Sequence, residues 1–299
     1  MSTPTVKRFL GRTAIHVFLV LLAIACLLPM LLVLSVSFTE ESAVFADGYR
    51  LIPAEFSLEA YARIFGGNQT LGRAYRNSIL LTVVGVTGAV AITGMAGYAL
   101  ANRRMRFRNA FALYFFITMV FNSGIVPWYL VNQTIGLTGN FAALVIPRLL
   151  FSAFNMFLVR NFMQAIPESL RESAMIDGAH DGTIAYSIYF PLSLPVLATI
   201  ALFYAVDYWN DWFNTIMLIG NENQELHPVQ FLLFRLQSQL EALREMQELG
   251  MGSVIQPWEI PGESLKMATV VVSLGPIFLL YPFLQRYFVK GMVMSAIKG

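Results

Sequence analysis

The sequence predicts an all-α membrane protein with six transmembrane helices, and three observations predict it. Of 299 residues, 57% are hydrophobic and only 13% are charged, outside the usual range for a soluble domain. The apolar residues are gathered into blocks long enough to cross a bilayer, which takes about 20 residues of helix. The remaining charges segregate by sign between those blocks.

The first block runs from Ile15 to Phe38, behind Lys7, Arg8 and Arg12. Its apolar run is too long for a signal-peptide core and no small-residue cleavage site follows, so it is expected to be a retained helix. The second block is Ile79 to Leu100, the third Ala110 to Val131 and the fourth Phe141 to Phe162. The fifth is Leu194 to Ile219 and the sixth Leu265 to Phe288. Residues 1–14 then form an N-terminal tail, 15–289 the transmembrane domain and 290–299 a C-terminal tail.

Short loops rich in Lys and Arg stay in the cytoplasm. The N-terminal tail, the turn holding Arg103, Arg104, Arg106 and Arg108, and the C-terminal Arg286, Lys290 and Lys298 all fall on one side of a six-helix count. The acidic segments 39–76 and 220–264 fall on the other. Both termini are therefore expected in the cytoplasm of a bacterial cell, the chain being integral to the inner membrane and in contact with its lipid. Within 39–76, Ser57 before Leu58-Glu59-Ala60 reads as a helix N-cap. Within 220–264, a charged helix is expected from Val229 to Leu249, followed by a turn holding Gly250, Gly252, Pro257 and Pro261. The second block carries small residues at i+4 spacing (Gly85, Ala89, Thr93, Gly97, Ala101), which let helices approach closely in lipid. They serve packing within the chain or contact with a second membrane subunit.

The one cysteine, Cys26, lies in an apolar helix and reads as packing. His16, His180 and His227 are far apart in sequence, so no metal site is expected. No G-x-x-x-x-G-K-[ST] phosphate loop occurs, so the chain is expected to bind no ATP itself. A membrane enzyme would need a nucleophile-base pair or metal ligands at a membrane face, and Asp207 and Asp211 have no histidine or lysine beside them. An ion-driven carrier would show internal symmetry and broken helices, neither of which the sequence displays.

The most informative stretch is Ile166 to Pro191, IPESLRESAMIDGAHDGTIAYSIYFP. Its charges cannot sit in lipid. Pro167 suits the first turn of a helix, Glu168 and Glu172 favour that end of its dipole, and Ile166, Leu170 and Ala174 share a face. Gly178 supplies a left-handed stop, and a second helix is expected from Asp181 to Pro191. Two short helices meeting at a glycine before a transmembrane helix form a lever. The alternative is an amphipathic helix resting in the headgroups, which its acidic residues disfavour.

Glu172-Ser173-Ala174, then Gly178, then Ile188 and Phe190-Pro191 resemble the EAA loop of permease subunits of binding-protein-dependent ABC importers. Ser173 stands for the usual second alanine and Phe190 for the usual leucine. FSLEAYARIF (56–65), Arg76-Asn77-Ser78, SGIVPWYL (123–130), RNFMQAIPESL (160–170) and YWNDWF (208–213) are similar to the second permease of maltose-type carbohydrate importers, and the whole chain resembles permeases for acidic oligosaccharides such as alginate. The resemblance implies the type I importer permease fold with a cytoplasmic coupling helix and a non-catalytic role. It implies a second permease as heterodimer partner, two ATPase subunits carrying ATP and Mg, a solute-binding protein and an oligosaccharide substrate, with no nucleic acid involved. Glu172, Ser173, Ala174, Asp177, Gly178, Ile188 and Pro191 would form the ATPase-coupling site. The loop 220–264 would dock the binding protein, and the tail 290–299 resembles one that reaches between ATPase subunits.

Polar groups within membrane segments point to a substrate path. Arg148, Asn155, Asp207, Asn210 and Asp211 are the candidates, with Tyr208, Trp209 and Trp212 as aromatic faces for sugar C–H surfaces. Arg148 is the residue expected to hold a uronate carboxylate through a bidentate pair; its alternative role is to neutralise an aspartate, and the rings have packing as theirs.

Overall fold

The computed structural model describes residues 4–65, 69–147, 150–221, 223–248 and 262–276. The chain divides into two compact units, residues 1–68 with 235–275, and residues 69–234 with 276–299.

The first unit begins with α1, Pro4–Ser37, whose apolar stretch Arg12–Ser37 is long enough to cross a membrane. Cys26 is exposed on it. Two short helices follow, α2 (Glu41–Asp47) and α3 (Glu59–Phe65). Ser57 accepts from the Glu59 amide at 3.2 Å, so the expected cap is present. Phe38 stacks on Phe56 and Tyr61, and the Ser37 hydroxyl meets Tyr61 at 2.8 Å. Glu41 caps the helix formed by residues 263–276 from outside, accepting from the amides of Glu263 (2.7 Å) and Ser264 (2.9 Å) and from the Ser264 hydroxyl. That satisfies donors which a helix start leaves unpaired. The sixth block beyond 276, the turn 250–261 and the tail 290–299 lie outside the described residues.

In the second unit, α4 (Gln69–Ala101) is, among the described residues, the other helix long and apolar enough to span alone. It starts ten residues before the apolar block, so Arg76-Asn77-Ser78 lies inside it rather than ahead of it. Asn77 donates to the carbonyls of Glu225 (2.6 Å) and His227 (3.2 Å), and Ser78 accepts from the Val229 amide (2.9 Å). These bonds fix the start of the predicted charged helix, which runs Val229–Glu248. The small-residue ridge packs within the chain. A side chain at Gly85 would overlap the Tyr208 ring, and one at Gly97 would come within 2.6 Å of Val159. Ala89 and Thr93 between them are fully buried.

Three of the apolar blocks are not single helices. The third divides into α5 (Arg108–Val120) and α6 (Ile125–Thr134), bent by 117° at Gly124, whose φ is +80°. The fourth holds only α7 (Ala142–Val145) before an interruption, then α8 (Ala153–Gln164), capped by Ser152. The fifth stops at Trp209 and resumes as a π-helical turn, Thr215–Ile219. The expectation of unbroken helices is thus corrected. Hydropathy did not register the breaks because the residues around them stay apolar, while Pro147, Ser152, Asn210 and Asp211 rearrange the backbone bonds.

Candidate functional site

The elbow is built as the sequence suggests, with two adjustments. Helix α9 spans Glu168–Ile176, and Pro167 is its N-cap rather than its first helical residue. Leu170 and Met175 face outward with Ile176, which is 86% exposed, while Ile166 and Ala174 pack on the core. Gly178 has φ +82°, the left-handed stop that ends the first helix. The Ala179 amide bonds back to the Ala174 carbonyl at 2.9 Å. Helix α10 (Asp181–Ile184) leads into a π-helical turn (Ala185–Tyr189) and then α11 (Phe190–Leu192). A 79° bend separates 181–192 from α12 (Leu194–Trp209). Glu172, Ser173, Asp177 and Gly178 are exposed together on one side, Ile188 packs on the core, and Pro191 is exposed at the start of α11.

Arg171 holds this shape, and sequence reasoning missed it. A lone arginine flanked by two EAA-type residues reads as surface, yet it is only 4% exposed. Its guanidinium donates to Asp181 at the start of α10 (2.8 Å) and to Asn102 just beyond α4, and it lies 3.8 Å from Glu168. One cation thereby ties α9 to α10 and to the end of α4. The available signal was the spacing to Asp181 across a glycine turn, which places an acid beside the base only once the turn is left-handed. Arg104 adds a peripheral contact, 3.9 Å from Glu172. Behind the elbow, Tyr98 meets Tyr189 and Phe190 edge-on. Ile184 and Tyr189 are buried there. The packed rings thus join α4 to the turn and short helix that precede α12, and Arg171 joins α9 to the end of α4.

The second polar region lies at the interrupted segments. An open cavity of about 490 Å³ is lined by Ser152, Tyr204, Val206, Asp207, Asn210, Asp211, Trp212 and Phe213. The predicted path residues divide here. Asp207 and Trp212 are exposed and Asn210 is half-buried. Tyr208, Trp209, Asn155 and Asp211 are buried, Asp211 still lining the cavity. Tyr208 donates to the Val145 carbonyl (2.9 Å), Trp209 lies against Tyr75, and Asp211 accepts from the Asn214 amide (3.2 Å) where the helix restarts. The Asn155 amide bonds to its Ser152 cap at 3.4 Å. Tyr204, not anticipated, joins Thr93 (2.7 Å) and accepts from the Ser152 amide (2.9 Å), so it braces the break from α12. Trp212 stacks on Phe234 at 4.3 Å, which holds its ring at the cavity edge. Arg148 lies outside the described residues. Among the described residues no cluster could hold a metal ion.

Comparison with known proteins agrees with this architecture. The chain is 36% identical over 286 residues to the polygalacturonan/rhamnogalacturonan transport system permease protein YtcP of Bacillus subtilis strain 168, covering 95% of this chain and 97% of that one. It is 35% identical over 273 residues to protein LplC of the same organism, covering 91% and 90%. Among solved structures, a chain of a bacterial ABC transporter involved in the import of the acidic polysaccharide alginate matches with a TM-score of 0.81 at 29% identity, covering 96% of this chain and 99% of that one. The sequence profile of the binding-protein-dependent transport system inner membrane component family matches residues 93–294, and with the elbow, the apolar helices and these relatives in agreement, the chain belongs to that family.

Proposed function

We propose that this chain is one permease subunit of an oligosaccharide importer, that it pairs with a second permease, and that separate ATPase subunits carrying ATP and Mg drive it through the elbow. The elbow carries the reading: α9 presents Glu172, Ser173, Ile176 and Asp177 outward, while Arg171 fastens its inner side to α4 and α10. An exposed face with a braced back is what a docking lever requires. The excess of arginines in the 102–108 turn puts the elbow and both termini in the cytoplasm. The chain itself is non-catalytic, and a solute-binding protein docks on the opposite side at the 220–264 segment.

The substrate class proposed is an acidic oligosaccharide. Two of the relatives named above serve the transport of polygalacturonan and rhamnogalacturonan or of alginate, all of them uronate-bearing. Asp207, Asn210 and Trp212 offer hydrogen-bonding groups and a ring face for sugar hydroxyls and C–H surfaces. Asp207 and Asp211, which both line the cavity, would repel a uronate, so a cation must accompany them, and Arg148 is the sequence candidate.

The test is uptake of labelled oligosaccharides by the complex reconstituted with its ATPase and binding protein. ATP-dependent uptake that needs the binding protein is expected. Labelling of residues 166–191 from the external face of intact cells would overturn the arrangement.

A further inference from the structure

Beside the elbow, two arginines are brought together without a carboxylate. Arg108 opens α5 and Arg160 lies in α8. With its amide oxygen facing them, Gln164 accepts from Arg108 Nη2 at 2.9 Å and from Arg160 Nε at 3.1 Å. The Arg108 Nε is buried without a hydrogen-bond partner. Among the described residues, no carboxylate forms an ion pair with either arginine. An amide oxygen carries only a partial charge and cannot offset two adjoining guanidinium groups.

We propose that Arg108 and Arg160 bind the phosphate of an anionic phospholipid, with Gln164 holding the fork open. Guanidinium groups suit phosphate oxygens, to which they donate in parallel pairs. The surroundings identify a lipid as the source of that phosphate. Phe107 is 64% exposed and Phe111 46%. The Arg160 guanidinium lies 5.7 Å over the Phe157 ring. Most residues of α5 are exposed, so acyl chains can lie along its outer face below the headgroup. Basic pockets between helices at a cytoplasmic membrane face are suited to anionic headgroups. The placement rests on the orientation proposed above.

The site has a mechanical position. Gln164 is the last residue of α8, and the elbow begins two residues later at Ile166. A bound phosphate clamps α5 to the end of α8 from which the elbow hangs. Lipid charge then sets how firmly the lever is anchored.

The experiment uses the complete importer complex in nanodiscs of phosphatidylcholine with or without phosphatidylglycerol. Native mass spectrometry after delipidation counts the phosphatidylglycerol retained. The wild type should retain it, and R108Q/R160Q should hold it about thirtyfold more weakly, the usual increment for two basic residues at an anionic surface. Gln164→Glu supplies a carboxylate within the chain and should also release the lipid, with both arginines and the fold kept. Equal retention by these variants would overturn the site, including the case in which a carboxylate of the second permease already pairs the arginines. Displacement of the retained lipid by millimolar inorganic phosphate would show that a free anion is the ligand, and would overturn the lipid assignment. Retention is read without transport, so its failure is separable from failure of the importer reading.

Discussion

The elbow and the interrupted-helix cavity are both polar islands in an apolar chain, and they use their polarity in opposite ways. At the elbow most polar side chains face outward and one buried cation does the holding. At the cavity Ser152, Tyr204 and Asp211 line the opening while bonding to the broken helices, and Asp207 and Trp212 are its exposed groups. Charges kept on the outside suit the docking role proposed for the elbow. A region built from interrupted membrane helices must first satisfy its own backbone, and it has few groups to spare for a ligand.

The harshest test of this contrast is Gly178→Val. A β-branched residue at φ +82° is strained by about 1–3 kcal/mol, and relief of that strain moves α9. Loss of uptake with normal membrane insertion is expected, measured in vesicles against a membrane-fraction blot. Next is Arg171→Gln, which removes bonds to a charged group worth about 1.5–3 kcal/mol. Coupled uptake should fall about tenfold or more while the assembled complex keeps its ATPase activity. The swap R171D/D181R should restore part of the coupling. A proportional loss of ATPase and uptake would mean that Arg171 only stabilises the fold.

Smaller effects separate the two kinds of residue at the cavity. Asp207→Asn and Trp212→Ala should raise the KM for uptake, each by a change of about 1–2 kcal/mol, with thermal stability unchanged. Tyr204→Phe should do the reverse, lowering stability by about 1–3 kcal/mol as the Ser152 amide loses its acceptor with KM retained. Equal KM shifts in all three would erase the division between lining and bracing residues. The finest discrimination is Arg148→Gln, expected to impair acidic oligosaccharides and to spare neutral ones in a competition assay.

Much of the elbow was legible because its parts are local. Gly178 as a stop follows from neighbours a few residues away, as do, outside the elbow, Ser57 as a cap and the helix from Val229. Arg171 was not, since its burial depends on Asn102 and Asp181 arriving from both sides. The breaks in the third, fourth and fifth blocks were hidden for another reason. Hydropathy measures transfer to lipid, and a broken apolar helix transfers as well as a straight one once its backbone is satisfied elsewhere. Tyr208 and Asp211 bond at the interruptions themselves, to the Val145 carbonyl and the Asn214 amide, partners that their sequence neighbours do not announce.

The π-helical turns bear on how α12 moves. One stands shortly before it, at Ala185–Tyr189, and one shortly after, at Thr215–Ile219. Each accommodates a surplus residue in a widened loop of backbone. Were such a widening to travel by a single position, the residue it passes would swing by about 100° about the axis, while the rods on either side keep their phase. A linear shove at one end can thereby re-aim one side chain at a time toward the passage without lengthening the rod.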